Sequence, residues 1–404
     1  MNSRDRLLMS IYHEEPDRVP ITPRIGARFV PWLYPDHKEP YWKIAYYTYR
    51  RFKFDIYIDG LSPPGLVRIP ILLDFRPSSK VPFGYEGISI EISTHDLNED
   101  YKIVTRIIKT PKGLLRDRIK VPKPVKLKEL KQSWRFMCSP SWVPCPYPFI
   151  IEHLVKTLDD VEKVEYILPD PGKVSEREIK KINDFIGNDG LISFTAGNTI
   201  DYAIYALGLK NSLLAYFRNR ELLVSLLKVF HEHTLAVTEV LLERGAEIIF
   251  HSNFMGGVSA GWSPRIWNHL FKPLIKEHAL LVKKMGGLFH YYDDGKIMDI
   301  LDYIRELNID IITIAPERYG NDLKLVKLKL GNRMCLKGGI DPDIIRFGSI
   351  DEVICNVRSA IGAMANGGGL ILSSSDSLHA YTPFENIRVL INEVKKYGTY
   401  PLKQ

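Results

Sequence analysis

From residue 190 onward the chain repeats one unit: a short apolar, β-branched run ending in glycine or polar residues, then an amphipathic helical stretch. The runs are GLISFTAG (190–197), AEIIFHSN (246–253), GGLFHYYD (286–293), IDIITIAPE (309–317), RMCLKGGID (333–341) and GLILSSSD (369–376). Such alternation builds a parallel sheet with crossover helices, because parallel neighbours need a long return connection. Two more runs, RVPITPRI (18–25) and KFDIYIDG (53–60), flank a helical segment, EPYWKIAYYTYRRF, and bring the total to eight. No GxGxxG follows the first run. Eight βα units then predict an α/β fold, a closed (β/α)8 TIM barrel rather than an open dinucleotide-binding sheet.

The connections support this. NSLLAYFRNRELLVSLLKVFHEHTLAVTEVLLERG (211–245) reads as one or two helices, and SPRIWNHLFKPLIKEHALLVKKMG offers Ser263 as N-cap with Pro264 at the first helical position. Residues 61–185 break the repeat. They are rich in proline (SPPG, VPKPVK, CSPSWVPCPYP) and hold alternating runs, YEGISIEIS and YKIVTRIIKT, that predict antiparallel strands. The expectation is one domain over 1–404, with 61–185 inserted after the second barrel strand and folded over the barrel mouth. Trp134, Phe136, Trp142 and Tyr147 would line a substrate pocket there or build a small satellite core.

Composition narrows the partners. With 45% hydrophobic and 25% charged residues the 404-residue chain can bury a large core. No apolar run reaches the roughly 18 to 20 residues of a membrane span, and Met1 to Pro20 is too charged for a secretory segment, which predicts a cytoplasmic protein with no membrane partner. The net charge of +7 is scattered, and its excess over 106–131 reads as a solvated basic face, so no nucleic-acid partner is expected. Cys138, Cys145, Cys335 and Cys355 show no CxxC spacing, which fits a reduced compartment without disulfides.

In a (β/α)8 barrel the active site is built at the C-terminal ends of the strands. Arg24 and Arg28 follow the first run and Asp59 closes the second. Asn198 and Tyr202 follow the third; His251, Ser252 and Asn253 end the fourth. His290, Tyr292, Asp293 and Asp294 end the fifth, Glu317 the sixth, Asp341 the seventh, and Asp376 and His379 the eighth. Taken singly, an aspartate after a strand is commonly a turn former or helix cap. Together these residues offer two chemistries. Carboxylates and imidazoles could hold Zn²⁺ with one position open. Alternatively, arginines could clamp carboxylates while an aspartate stabilises a developing positive charge.

Three segments carry a family resemblance: NSRDRLLMSIYHEEPDRVPI at the start, LKGGIDPDIIRFGSIDEVICNVRSAIGAMANGGGLILSSSDS, and the closing TPFENIRVLINEVKKYG. They resemble the uroporphyrinogen decarboxylase superfamily, whose fold is a (β/α)8 barrel and which includes corrinoid-dependent methyltransferases. For the decarboxylase branch, RIGARFVP resembles the arginine motif that grips porphyrinogen carboxylates. It would make Arg24 and Arg28 substrate-binding, Asp59 the central aspartate, and Tyr202 or Tyr205 the active-site tyrosine. The histidine of that branch's C-terminal GHG segment is absent, and Asp376 or a displaced His379 stands in its place.

The zinc methyltransferases serving coenzyme M carry His-x-Cys after the fifth strand and a further cysteine near the eighth. Here HYYDDG and SSSDS lack both cysteines. The branch that demethylates methoxylated compounds uses carboxylate and histidine ligands, for which His251, His290, Asp294, Glu317 and Asp376 are the candidates. Asp59, Tyr292 and Asp293 would be catalytic, and Arg24, Arg28, Asn198, Tyr202 and His379 substrate-binding. The expectation is methyl transfer from a small, methoxylated aromatic molecule to a corrinoid carried by a partner protein, with homodimerisation possible. Tetrapyrrole decarboxylation is the alternative.

Overall fold

The computed structural model describes residues 1–26, 29–66, 87–123, 149–197, 199–293 and 295–402. Its strands among these residues are β1 (Ile56–Leu61), β2 (Ser89–Asp96), β3 (Tyr101–Thr110), β4 (Gly113–Pro122), β5 (Phe149–Glu152), β6 (Gly190–Thr195), β7 (Ile248–Ser252), β8 (Leu288–Tyr292), β9 (Ile311–Ile314), β10 (Cys335–Ile340) and β11 (Leu370–Ser374). Seven of them form one parallel sheet in the order β1-β6-β7-β8-β9-β10-β11.

Closure comes from the first of the eight expected runs. Ile21 bridges Leu372 of β11 in parallel, Thr22 N–H donates to Leu372 O at 2.9 Å, and Asp55 N–H donates to Ile21 O at 2.8 Å. Residues 20–22 therefore stand between β11 and β1 and complete a (β/α)8 barrel. The expected strand over 18–25 shrinks to this bridge because Pro20 and Pro23 carry no N–H to extend the ladder.

Alternation along the strands sorts residues by depth. Tyr57, Leu191, Ile248, Ile311, Cys335 and Ile371 form one buried cluster with Leu7 and Ile11 of the N-terminal helix Ser3–Ile11, so that helix plugs the end where the strands begin. Chemistry is left to the opposite end. The plug is fastened by ions. Arg6 reaches Asp55 at 2.6 Å and Asp17 at 2.6 Å, while Arg18 reaches Asp55 at 2.8 Å. This network accounts for the Arg6, Asp17 and Arg18 of the opening segment, which fasten the barrel's bottom rather than its catalytic face.

Two compact units divide the chain. Met1–Leu61, Glu176–Ala196 and Leu241–Gln404 hold the whole parallel sheet. Ser62–Ser175 and Gly197–Val240 hold the antiparallel sheet β2-β3-β4-β5 and the helices after β6. The runs YEGISIEIS and YKIVTRIIKT lie at β2 and β3, and the longest pairing joins β3 to β4, where Arg106 faces Asp117 as a buried cross-strand ion pair. Trp134, Phe136, Trp142 and Tyr147 lie outside the described residues.

Candidate functional site

The site begins with two contacts that cross the barrel interior. Strands β1 and β8 are not neighbours in the sheet, yet Tyr57 Oη lies 2.8 Å from His290 Nδ1. Strands β1 and β10 are not neighbours either, yet Lys337 Nζ donates to Asp59 Oδ2 at 2.9 Å. Tyr57, Asp59, His290 and Lys337 therefore all point inward. Above the apolar bottom, the barrel lumen is polar.

His290 is fixed on both sides, since its Nε2 lies 2.8 Å from Thr313 Oγ1 of β9. Burial and then the charge of Lys337 push its pKa well below the ordinary value, so the ring is neutral. One layer nearer the strand ends stands a triad. Asp59 Oδ1 accepts from Arg24 Nε at 3.3 Å while Oδ2 accepts from Lys337. Burial alone would raise the Asp59 carboxyl, but Lys337 and Arg24 reverse that and hold it far below the usual carboxylate range.

Lys337 is fully buried and also donates to Ser373 Oγ at 3.1 Å. Burial lowers its pKa, and Asp59 offsets only part of that. Arg24 stacks its guanidinium 4.4 Å from the Tyr292 ring centroid and 5.6 Å from that of Phe250, and its backbone N–H donates to Ser374 Oγ at 3.1 Å. Tyr41, whose hydroxyl burial pushes up, is coupled electrostatically to both Asp59 and Arg24.

The sequence candidates divide clearly. Arg24, Asp59, His290 and Tyr292 are brought together. Arg28, Asn198 and Asp294 lie outside the described residues. Tyr291 faces away from the lumen, accepting from Asn253 Nδ2 at 2.9 Å and donating to Asp293 Oδ2 at 3.3 Å. Asp293 shapes the loop after β8, taking Gly295 N–H on Oδ1 at 3.0 Å. His251 is on the same outward side, its Nδ1 3.0 Å from His278 Nδ1.

Glu317 is exposed on the short turn Glu317–Tyr319. Asp341 caps the helix Pro342–Phe347. His379 pairs with Asp343 at 2.7 Å, and Asp376 is half-buried, taking Ser377 N–H at 2.7 Å. In the second unit, Tyr202 is buried in the helix Thr199–Leu207, its ring 5.9 Å from Phe230.

The described members of the zinc set do not gather. Among the described residues no three His, Cys, Asp or Glu side chains lie close enough to hold a metal ion. Both ring nitrogens of His290 are engaged, Glu317 faces solvent and His251 faces the helices, so these three side chains do not converge, while Asp294 lies outside the described residues. The residue that sequence reasoning missed is Lys337. Its signal is a lysine inside the apolar run RMCLKGGID, two residues from Cys335 and therefore on the same inward face.

Comparison with known proteins agrees with this architecture. A family model described as Uroporphyrinogen decarboxylase (URO-D) matches residues 141–397, a span that holds His290 and Lys337 and leaves out Arg24 and Asp59. The uroporphyrinogen decarboxylases of Methylibium petroleiphilum and Trichodesmium erythraeum are 22% and 23% identical over 196 and 259 residues. Those matches cover 45% and 62% of this chain, and 49% and 71% of the relatives, so the chain spans about half the length of the first. A solved methyltransferase from Methanosarcina mazei superposes with a TM-score of 0.61 at 14% identity, covering 98% of this chain and 99% of that one, which is a likeness of fold. With more than half of its length matched by the family model, the chain belongs to the uroporphyrinogen decarboxylase family.

Proposed function

We propose that the chain is a methyltransferase that removes a methyl group from oxygen on a small, methoxylated aromatic substrate, at the Arg24–Asp59–Lys337 centre. One observation carries the reading: two cations, Lys337 fully buried and Arg24 partly so, share one carboxylate, so the triad carries an excess positive charge. Asp376 adds a negative charge that Arg24 feels, but it is half-buried and partly screened by water. A net cationic lumen stabilises negative charge that develops on a leaving oxygen, and in a low-dielectric site such stabilisation is large. Decarboxylation through a protonated ring needs the reverse, a carboxylate left free to face developing positive charge. Each Asp59 oxygen already faces a cation, Arg24 or Lys337, which offsets its charge.

Arg24 binds and orients the oxygen, and Tyr292 fixes the plane of its guanidinium. Tyr57, His290 and Thr313 form a neutral floor that excludes competing charge. A corrinoid on a partner protein would supply the nucleophile that accepts the methyl group. The fold likeness to a methyltransferase supports the assignment.

The test is to incubate the protein with methoxylated benzoates and free cob(I)alamin and to follow alkylation of the cobalt by visible absorbance. Methyl transfer that disappears in Arg24→Ala is the expected result. No transfer from any methoxylated arene, with conversion of uroporphyrinogen instead, would overturn it. That second reading, tetrapyrrole decarboxylation, is favoured by one observation, the adjacency of Arg24 and Asp59.

A further inference from the structure

We propose that Lys337 is the proton donor of this site, a catalytic role that rests on the reading above but serves either of its two reactions. Nζ of Lys337 has three protons and two hydrogen-bond partners among the described residues, Asp59 Oδ2 and Ser373 Oγ. The Ser373 hydroxyl donates its own proton to Thr22 O at 2.8 Å or Ser374 O at 3.0 Å, so it can only accept from the lysine. The third N–H is left for a substrate atom.

Elimination points to the same group. Among the described residues, the groups that act on Nζ or contact it are Asp59 and Tyr57 on β1, Arg24 on the segment before it, His290 on β8 and Cys335 on β10. Asp59 is held ionised and has no proton to give. Arg24 does not deprotonate in proteins. His290 is neutral with both nitrogens engaged. Burial pushes Tyr57 well up and Cys335 to about 12. Of these groups, Lys337 both carries a proton and is shifted towards releasing it, because burial disfavours its charge and Asp59 is shared with Arg24.

In the demethylation, the carbon–oxygen bond breaks with its electron pair passing to oxygen. The Nζ–H bond breaks with its pair remaining on nitrogen, and that proton goes to the oxygen. The methyl carbon passes to the two-electron nucleophile of the partner's reduced corrinoid, and solvent returns a proton to Nζ. In a decarboxylation the same proton would replace carbon dioxide on carbon.

Two measurements test this. The first uses the full chain labelled with 15N-lysine, with Lys337 Nζ assigned as the signal missing from Lys337→Met. It is expected to titrate below the other lysines, and lower still in Asp59→Asn, where the opposing carboxylate is gone. Titration together with the surface lysines would overturn the proposal even if methyl transfer is found. The second compares Lys337→Met with Lys337→Arg, which keeps the charge but cannot release a proton. Loss of kcat by about 100-fold or more in both, with KM little changed, is expected of a general acid. Undiminished kcat in Lys337→Arg would overturn it. A low titration with no turnover of any substrate above would leave the lysine assignment intact and sink the proposed function instead.

Discussion

His290 illustrates how a residue's neighbours decide its chemistry. As the histidine that opens HYYDDG it reads as a metal ligand, yet Tyr57 and Thr313 take both ring nitrogens and burial keeps it neutral. This has a signed consequence for stability. The unfolded chain protonates a histidine near pH 6.5 while the folded ring stays unprotonated, so the unfolded state binds more protons below that pH. Folding stability therefore falls as pH drops below about 6.5, by roughly 1.4 kcal/mol per unit for this one group. Urea unfolding of His290→Gln at pH 5 and pH 7 is expected to show a smaller difference than the parent by about that much per unit. An unchanged difference would mean that the ring is charged in the fold. The Asp59 carboxyl works in the opposite sense. Its folded pKa is depressed, so its contribution is present above the unfolded value near 4 and is lost as pH falls below it.

At the level of elements, β10 is the least forgiving. Its second glycine from the end of LKGG, Gly338, has φ +151°, and a Cβ there would sit 2.1 Å from the backbone oxygen of Ile314 on β9. Gly338→Ala forces strands apart and is expected to cost more than about 2 kcal/mol, read as a lowered denaturation midpoint. A midpoint within error of the parent would show that β10 shifts freely. The same strand shows how much of the molecule was legible. Six runs from residue 190 onward lie where β6 to β11 form, because a buried parallel strand is written as a continuous apolar run. The run over 18–25 promised more strand than its prolines allow. Lys337 is not legible from the strand ends, because the lumen is polar from mid-strand upward. Asp293 and His251 stand out by residue type, although alternation and the loop after β8 turn them away from the lumen.

Across the molecule, the barrel separates stability from chemistry along its axis, and two aspartates four residues apart sit on either side of that division. Asp55 precedes β1 and neutralises Arg6 and Arg18 at the plugged end. Asp59 lies near the other end of β1 and pairs with both Arg24 and Lys337. Removing either carboxylate strands buried cations, so Asp55→Ala and Asp59→Ala should each cost about 3 to 5 kcal/mol. Four residues of extended chain place them roughly 13 Å apart, and they share no ion partner. Their costs are therefore expected to add to within about 0.5 kcal/mol in the double variant, measured by denaturant unfolding of all four proteins. Only Asp59→Ala should move the titration of Lys337, because Asp55 faces neither its Nζ nor its hydrogen-bond partners. A non-additive double variant, or a Lys337 titration that follows Asp55, would mean that the two ends are coupled through the barrel wall. The lysine's proton would then be set by the whole strand rather than by the triad that holds it.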